Sequence, residues 1–309
     1  MSRRKKNTEY KTQSALKSLV IDNNFLEIVP PIYEPETYKL IRDVPEIKQF
    51  CENFWQWNEH VPWLVYPDSQ PHKELMNKLT HFMRKRVGKS CIDLGCGNGE
   101  FLEFLLQLGE CTIEQYFGVD LDWQTLAAIP RKLKNTAYCG KKVYLIHMAA
   151  MFKLPLRDNS VCSAVSSLGA LMYIWKWHDQ NGKLVASGRD ALKLGLKDVH
   201  RIIKPGGYLG ISAPLPHPNW RAIRNEALRH IIFHKFSLKK IWKAIYHGTK
   251  AVKYSEFMNG LEGEGKAHYL SPEEWKEYLK EAGFKIEEIV DDCYAGQGVI
   301  IIARKEDPS

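Results

Sequence analysis

The sequence lacks a long apolar segment. None of its apolar runs approaches the ~20 residues that a membrane-spanning helix needs. The N-terminus, MSRRKKNTEY, is basic and has no apolar core of the kind found in secretory signals. We therefore expect neither a transmembrane nor a secreted protein.

Paired cysteines are also lacking. The 309 residues include seven cysteines, an odd number, and no two of them form a Cys-x-x-Cys pair. A disulfide framework or a zinc site would show regular cysteine spacing, so the sequence predicts neither, and no other metal site. Cys91, Cys96 and Cys162 lie in apolar segments, which indicates buried reduced thiols and a cytoplasmic location.

Acidic residues are fewer than basic ones, and the excess of basic residues is concentrated in two segments. The formal net charge is +8, while residues 1–20 hold six basic side chains and one acid, and residues 215–255 hold nine and one. We expect residues 1–12 to form a disordered basic tail. Residues 215–255 show the apolar spacing of amphipathic helices, with Leu228, Ile231, Ile232 and Phe236 on one predicted face. This segment is expected to pack on the sheet as a cap; contact with an anionic surface, a lipid or nucleic acid is the alternative.

Strands alternate with helices from Ser90 onward, which predicts a parallel sheet covered on both faces. The predicted strands are 90–94, 116–119, 142–147, 161–166 and 208–212, followed by an antiparallel pair at 284–291 and 298–304. The preceding residues, 13–87, are rich in prolines and aromatics and are predicted to form an N-terminal helical cap. Residues 88–309 then form the main domain, with a basic helical cap inserted at 213–270.

A glycine-rich loop lies between the first predicted strand and the following helix. Gly95, Gly97 and Gly99 would let the backbone approach a ligand closely, because no Cβ atoms intervene. Asp120, at the end of the next predicted strand, is suited to accept hydrogen bonds from both ribose hydroxyls. The loop therefore predicts a nucleotide site.

The acids around this loop discriminate between nucleotides. A dinucleotide motif needs a third glycine where this chain has Glu100, and a pyrophosphate beside Glu100 and Asp93 would be repelled. A ligand that carries a cationic amine and a sulfonium would be attracted. The pattern thus favours S-adenosylmethionine over NAD.

Four motifs, in order, resemble those of the class I S-adenosylmethionine-dependent methyltransferases, especially the group that includes the quinone-biosynthesis enzymes. They are Asp93–Gly99, Asp120, the segment Leu154-Pro155-Leu156-Arg157-Asp158-Asn159-Ser160-Val161-Cys162, and Ile203-Lys204-Pro205-Gly206-Gly207. The resemblance covers residues 88–212. It implies an α/β, Rossmann-like, seven-stranded and mostly parallel sheet of order 3-2-1-4-5-7-6, with the last strand antiparallel and helical caps.

The resemblance also implies the cofactor-binding residues. They are Asp93, Gly95, Cys96, Gly97, Gly99, Asp120, Leu121, Ala150, Met151 and Ser167, with Tyr66 from the N-terminal cap. Related enzymes often have an acid for the adenine amino group where this chain has Ala150, so we expect backbone groups to hold adenine and Leu121 and Met151 to pack on the ring. The histidine pair that commonly follows strand 4 is replaced by Leu171-Met172, which leaves His178 and Tyr173 as the catalytic candidates.

The expected reaction is methyl transfer from S-adenosylmethionine to a small-molecule acceptor, with a lipophilic or anionic metabolite as one option. An RNA or protein methyltransferase that uses the basic segments is the alternative, although the sequence has no Asn-Pro-Pro-Tyr motif and no recognisable RNA-binding module. A non-catalytic partner subunit that binds the cofactor is the third hypothesis.

Overall fold

A computed structural model describes residues 19–20, 27–28, 45–58, 69–109, 111–133, 142–179, 183–234, 254 and 256–307. The predicted tail at 1–12, Tyr66 and the lysine-rich segment 235–250 lie outside these residues. Within the described part of the chain, no helix has the length and apolar character needed to cross a membrane.

The centre of the fold is one sheet of nine strands. They are β1 (Leu19–Val20), β2 (Glu27–Ile28), β3 (Ser90–Leu94), β4 (Gln115–Asp120), β5 (Lys142–His147), β6 (Val161–Ser167), β9 (Ile203–Pro214), β10 (Phe284–Cys293) and β11 (Gly298–Lys305). Their order is β1-β2-β5-β4-β3-β6-β9-β11-β10. Counted from β3, the seven long strands have the predicted order 3-2-1-4-5-7-6, and β11 is antiparallel to both of its neighbours. The predicted fold class is confirmed.

Two features of the sheet were not predicted. The short strands β1 and β2 extend it beyond β5, where Glu27 pairs with Lys142. A separate antiparallel hairpin follows β6 and consists of β7 (Lys176–His178) and β8 (Leu184–Ser187). The strands in both features are only two to four residues long. Such short segments cannot show the alternation of apolar and polar residues that indicates a strand.

Helices cover both faces of the sheet. Their bounds are α1 (Pro45–Asn58), α2 (Gln70–Met83), α3 (Glu100–Gln107), α4 (Trp123–Leu133), α5 (Gly188–Ile202), α6 (Trp220–His234) and α7 (Pro272–Glu281). The sheet separates two apolar clusters: α1, α5 and α7 contribute to one, and α2, α3 and α4 to the other. Ile301 of β11 belongs to the first cluster and Ile300 to the second, as the two-residue period of a strand requires.

Two predicted helix features have different outcomes. Ser271 caps α7, accepting from the Glu274 backbone while the Glu274 carboxylate accepts from the Ser271 N–H. This predicted start is confirmed. The predicted apolar face of α6 is wrong in part, because Ile231 is buried but Ile232 is 43% exposed. The buried side of α6 instead runs from Ile223 to Ile231, two turns apart on one face.

Candidate active site

A cleft opens at the carboxyl ends of β3, β4 and β6, where parallel α/β sheets bind ligands. It contains about 930 Å³ of empty space, part of which is open to solvent. The residues that line it are His72, Met76, Asp93, Gly95, Cys96, Gly97, Asn98, Glu100, Phe101, Asp120, Leu121, Met148, Ala150, Ser167, Leu168, Gly169, Ala170, Tyr173 and Tyr254. The cleft therefore brings together most of the predicted site.

The glycine loop has a backbone that only glycine adopts without strain. Gly95, Gly97 and Gly99 have φ angles of 76°, 52° and 77°. The N–H of Gly95 donates to the carbonyl of Val119 over 2.8 Å, which holds the loop against β4. A Cβ atom on Gly95 would lie 2.5 Å from the Ala170 nitrogen. Gly99 does not line the cleft, and it turns the loop into α3 instead.

Asp120 connects the two loops that bound the cleft. Its carboxylate accepts from the backbone N–H groups of Gly97 and Asp122, each over 2.8 Å. Burial raises the pKa of Asp120 to about 6, and these backbone hydrogen bonds oppose the rise. A carboxylate has roughly four lone-pair positions, so Asp120 retains capacity to accept from a hydroxyl donor of a ligand.

Asp93 lies at the base of the cleft and is 1% exposed. The Tyr116 hydroxyl donates to Asp93 Oδ2 over 2.6 Å, whereas Asp93 Oδ1 is buried and has no hydrogen-bond partner among the described residues. Burial raises the pKa of Asp93 to about 7, although the hydrogen bond from Tyr116 opposes this. An unsatisfied buried carboxylate oxygen at this position is suited to a cationic donor.

The raised pKa of Asp93 predicts a pH-dependent stability. The ordinary pKa of an aspartate carboxyl is 3.8 and that of Asp93 in the fold is about 7, so its contribution to stability is present at low pH and is lost as pH rises through about 7. Between pH ~5 and ~8, we expect the wild type to lose about 2–3 kcal/mol of unfolding free energy relative to Asp93→Asn. Urea denaturation across this range measures the difference. Parallel pH profiles for the two proteins would contradict a raised pKa.

The adenine end of the site differs in one position from the prediction. Leu121 and Ala150 line the cleft as expected, and the Leu121 carbonyl is 2.9 Å from His147 Nε2. Met151 is 2% exposed and is not among the residues that line the cleft, whereas Met148 is. Beside Leu121 and Ala150, the lining methionine is therefore Met148 in place of Met151.

The two catalytic candidates lie in different environments. Tyr173 lines the cleft, and its ring centroid is 6.4 Å from that of Phe50 on α1. His178 is 2% exposed, stacks on Phe152 at 4.9 Å, and is not among the described lining residues. Burial lowers the pKa of His178, with a further decrease from Lys176. The site thus includes Tyr173 and not His178, and the catalytic role of either remains a prediction.

Several lining residues were not predicted as site residues, and three of them come from segments remote from the glycine loop and from the strand ends. His72 and Met76 lie one turn apart on α2, and Tyr254 lies far along the chain, just before the helical residues 256–263. Helical spacing could have placed His72 and Met76 on one face, but nothing local indicates that this face meets the cleft. The packing of α2 against α3, β9 and β11 brings them there.

The fold and site together define a nucleotide-dependent α/β enzyme whose sheet has the class I methyltransferase topology. A profile of the methyltransferase domain family matches residues 69–289, more than two thirds of the chain. The chain belongs to this family and is an S-adenosylmethionine-dependent class I methyltransferase. The matches do not single out the quinone-biosynthesis group.

Solved structures have similar folds at low sequence identity. A possible exported protein from Bordetella parapertussis is 18% identical, with a TM-score of 0.51, over 80% of this chain and 71% of that one. A Mesorhizobium loti S-adenosylmethionine-dependent methyltransferase is 20% identical, with a TM-score of 0.44, over 74% and 96% of the two chains. A Methanosarcina mazei counterpart is 18% identical, with a TM-score of 0.44, over 72% and 94%. No curated protein matches the chain.

The residues present fit S-adenosylmethionine. Asp93, Glu100 and Asp120 line the cleft, and the described lining contains no lysine or arginine, so the charge of the cleft suits a cationic ligand. The glycine loop leaves room for close approach, and Asp93 Oδ1 is available as an acceptor. When bound, the cofactor supplies a methyl group activated by its sulfonium. Asp120 would hold the ribose, and Leu121, Met148 and Ala150 would contact adenine.

Proposed function

We propose that the methyl acceptor is a small molecule that enters the cleft beside Tyr173. The shape of the site carries this proposal. The chain that follows β6 forms a short 3₁₀ helix, Ala170–Tyr173, directly at the cleft, and Tyr173 and Tyr254 both contribute to the lining. Such a concave, mostly apolar site with a few polar groups is typical of small-molecule binding.

The residues around Tyr173 would position the acceptor and exclude water. Tyr173 is 8% exposed, and its hydroxyl lies 3.8 Å from Met258 Sδ. Phe50 packs against both Tyr173 and Trp175, so α1 closes this side of the site. Because the methyl group is already activated, positioning and desolvation are the main contributions required of these side chains.

We further propose that the acceptor is anionic or lipophilic and that the reaction takes place in the cytoplasm. The basic residues Arg221, Arg224 and Arg229 on α6 support an anionic preference, because α6 packs beside α2, which contributes to the cleft. Free thiols support a reducing compartment: among the described residues, Cys91, Cys96, Cys162 and Cys293 form no disulfide.

Transfer of labelled methyl groups tests the acceptor class. The protein is incubated with tritium-methyl S-adenosylmethionine and, in separate reactions, neutral, anionic and lipid-borne phenols and amines, bulk RNA and a protein mixture. We expect label in small molecules, with anionic or lipophilic acceptors preferred, and none with Asp120→Ala. Label only in RNA or protein would contradict the proposal. No label in any reaction would favour a non-catalytic partner subunit.

A further inference from the structure

A buried imidazole–carboxylate pair lies in the wall of the cleft. His72 Nε2 on α2 is 2.9 Å from Glu100 Oε2 at the first residue of α3. His72 is 4% exposed, Glu100 is half-buried, and both residues line the cleft. Glu100 adds to the negative charge of the cleft, but cofactor binding does not require that it be paired with an imidazole.

The imidazole is held from two directions. Glu100 fixes one edge of the ring, and Tyr294, from the turn between β10 and β11, packs against it with ring centroids 6.5 Å apart and planes at 69°. Tyr294 and the next residue, Ala295, have φ angles of 55° and 58° in the left-handed region, which is costly for side chains other than glycine. The fold therefore maintains a strained turn whose tyrosine contacts His72.

Stability alone does not account for the pair. A buried ionic or hydrogen-bonded pair contributes little net stability compared with apolar side chains of the same volume, because both groups lose hydration. The neighbouring position Met76, one turn further along α2, is apolar and contacts Ser167 at the end of β6, with 3.0 Å between Sδ and the Ser167 Oγ. Met76, one helical turn from His72, thus contacts the end of β6. Tyr173, from the segment that follows β6, lines the same cleft.

The hydrogen bond to Glu100 determines which nitrogen of His72 can accept a proton. An ionised carboxylate only accepts hydrogen bonds, so Nε2 donates to Glu100, and the neutral ring carries its lone pair on Nδ1. We propose that His72, oriented by Glu100, is the general base that accepts the proton of the methyl acceptor. This inference rests on the proposed function, since it requires an acceptor with a hydroxyl or amine.

The proton and electron balance of the step is complete. The acceptor O–H or N–H bond breaks, its proton moves to His72 Nδ1, and the acceptor lone pair forms the new bond to the methyl carbon. The electron pair of the broken carbon–sulfur bond remains on sulfur. The resulting imidazolium is stabilised by the Glu100 carboxylate.

A pH–rate profile alone would not identify this base. Asp93 and Asp120 line the same cleft, and burial raises their pKa values to about 7 and about 6, so both acids would contribute to such a profile. Tyr294 also faces the ring. Variants are needed to separate these groups.

His72→Gln is the informative variant, because the glutamine amide can still donate to Glu100 but has no basic nitrogen. His81→Gln, on the same helix and exposed, is the matched control. With the acceptor identified by the labelling experiment, we expect single-turnover transfer to fall by ~10²–10⁴ in His72→Gln. Affinity for S-adenosylhomocysteine should change by less than about threefold, and the control should match the wild type in both measurements. Transfer by His72→Gln near the wild-type rate, or an affinity loss equal to the rate loss, would overturn the proposal.

A second measurement needs no acceptor. In ¹⁵N-histidine-labelled protein with S-adenosylhomocysteine bound, the signals missing from His72→Gln identify His72. We expect its neutral ring to carry hydrogen on Nε2 and a lone pair on Nδ1; the opposite tautomer would overturn the proposal. If no acceptor is methylated, the proposed function fails, yet this spectrum still decides whether His72 is arranged as a base.

Discussion

Asp120→Ala is expected to weaken S-adenosylhomocysteine binding by about 100-fold, or ~3 kcal/mol. The carboxylate accepts from the backbone of Gly97 and Asp122 and retains lone pairs for ribose hydroxyls. Its removal therefore takes away ligand hydrogen bonds and also releases the glycine loop from the neighbouring loop. Because charge-assisted hydrogen bonds are stronger than neutral ones, the combined loss of binding free energy should be at the upper end of what one substitution causes.

Isothermal titration calorimetry measures this change. Asp291→Ala provides the matched control, since Asp291 is an exposed acid of β10 that is not among the described lining residues. The control should bind with wild-type affinity. Undiminished affinity in Asp120→Ala would show that the end of β4 does not hold the ribose.

Gly95→Val should abolish binding of S-adenosylhomocysteine and destabilise the fold by about 3 kcal/mol or more. A Cβ at this position would lie 2.5 Å from the Ala170 nitrogen and 2.9 Å from the Gly169 Cα, and both of these are backbone atoms that cannot rotate away. The φ of 76° adds strain for any β-branched residue. The loop must then separate from Gly169 and Ala170, which changes the shape of the cleft.

The variant Gly109→Val separates the effect of backbone strain from the effect of a steric clash. Gly109 has nearly the same φ, 74°, but no atom of the described residues lies within 4 Å of its hypothetical Cβ. It should lose only the ~1–2 kcal/mol of left-handed strain and should retain ligand binding. Thermal unfolding and calorimetry on both variants make the comparison. Equal stability losses, with binding retained in Gly95→Val, would mean that the contact of the glycine loop with Ala170 is not needed.

Long periodic segments made the sheet predictable from sequence. Strands β3, β6 and β11 are buried on both faces, so each appears in the sequence as an apolar run bounded by turn residues. The short strands β1 and β2 carry no such pattern, because two residues cannot show alternation. Their place beside β5 follows from tertiary pairing alone.

The site was predictable where a local motif fixes the backbone. Gly95 and Gly97 take the left-handed conformations that the motif requires, and Asp120 is the last residue of β4, as expected. Its hydrogen bond to the Gly97 N–H spans 23 positions and had no local signal. The contact of His72 with Glu100 spans 28 positions and depends on how α2 packs, so neither residue could be assigned a partner from sequence.

The most direct test of the central claim is a crystal structure of the protein with S-adenosylhomocysteine. We expect the ligand in the cleft at the carboxyl ends of β3 and β4, with its ribose hydroxyls on Asp120 and its adenine beside Leu121 and Met148. Ligand density elsewhere, or a ligand in this cleft with no contact to Asp120 or to the glycine loop, would contradict it.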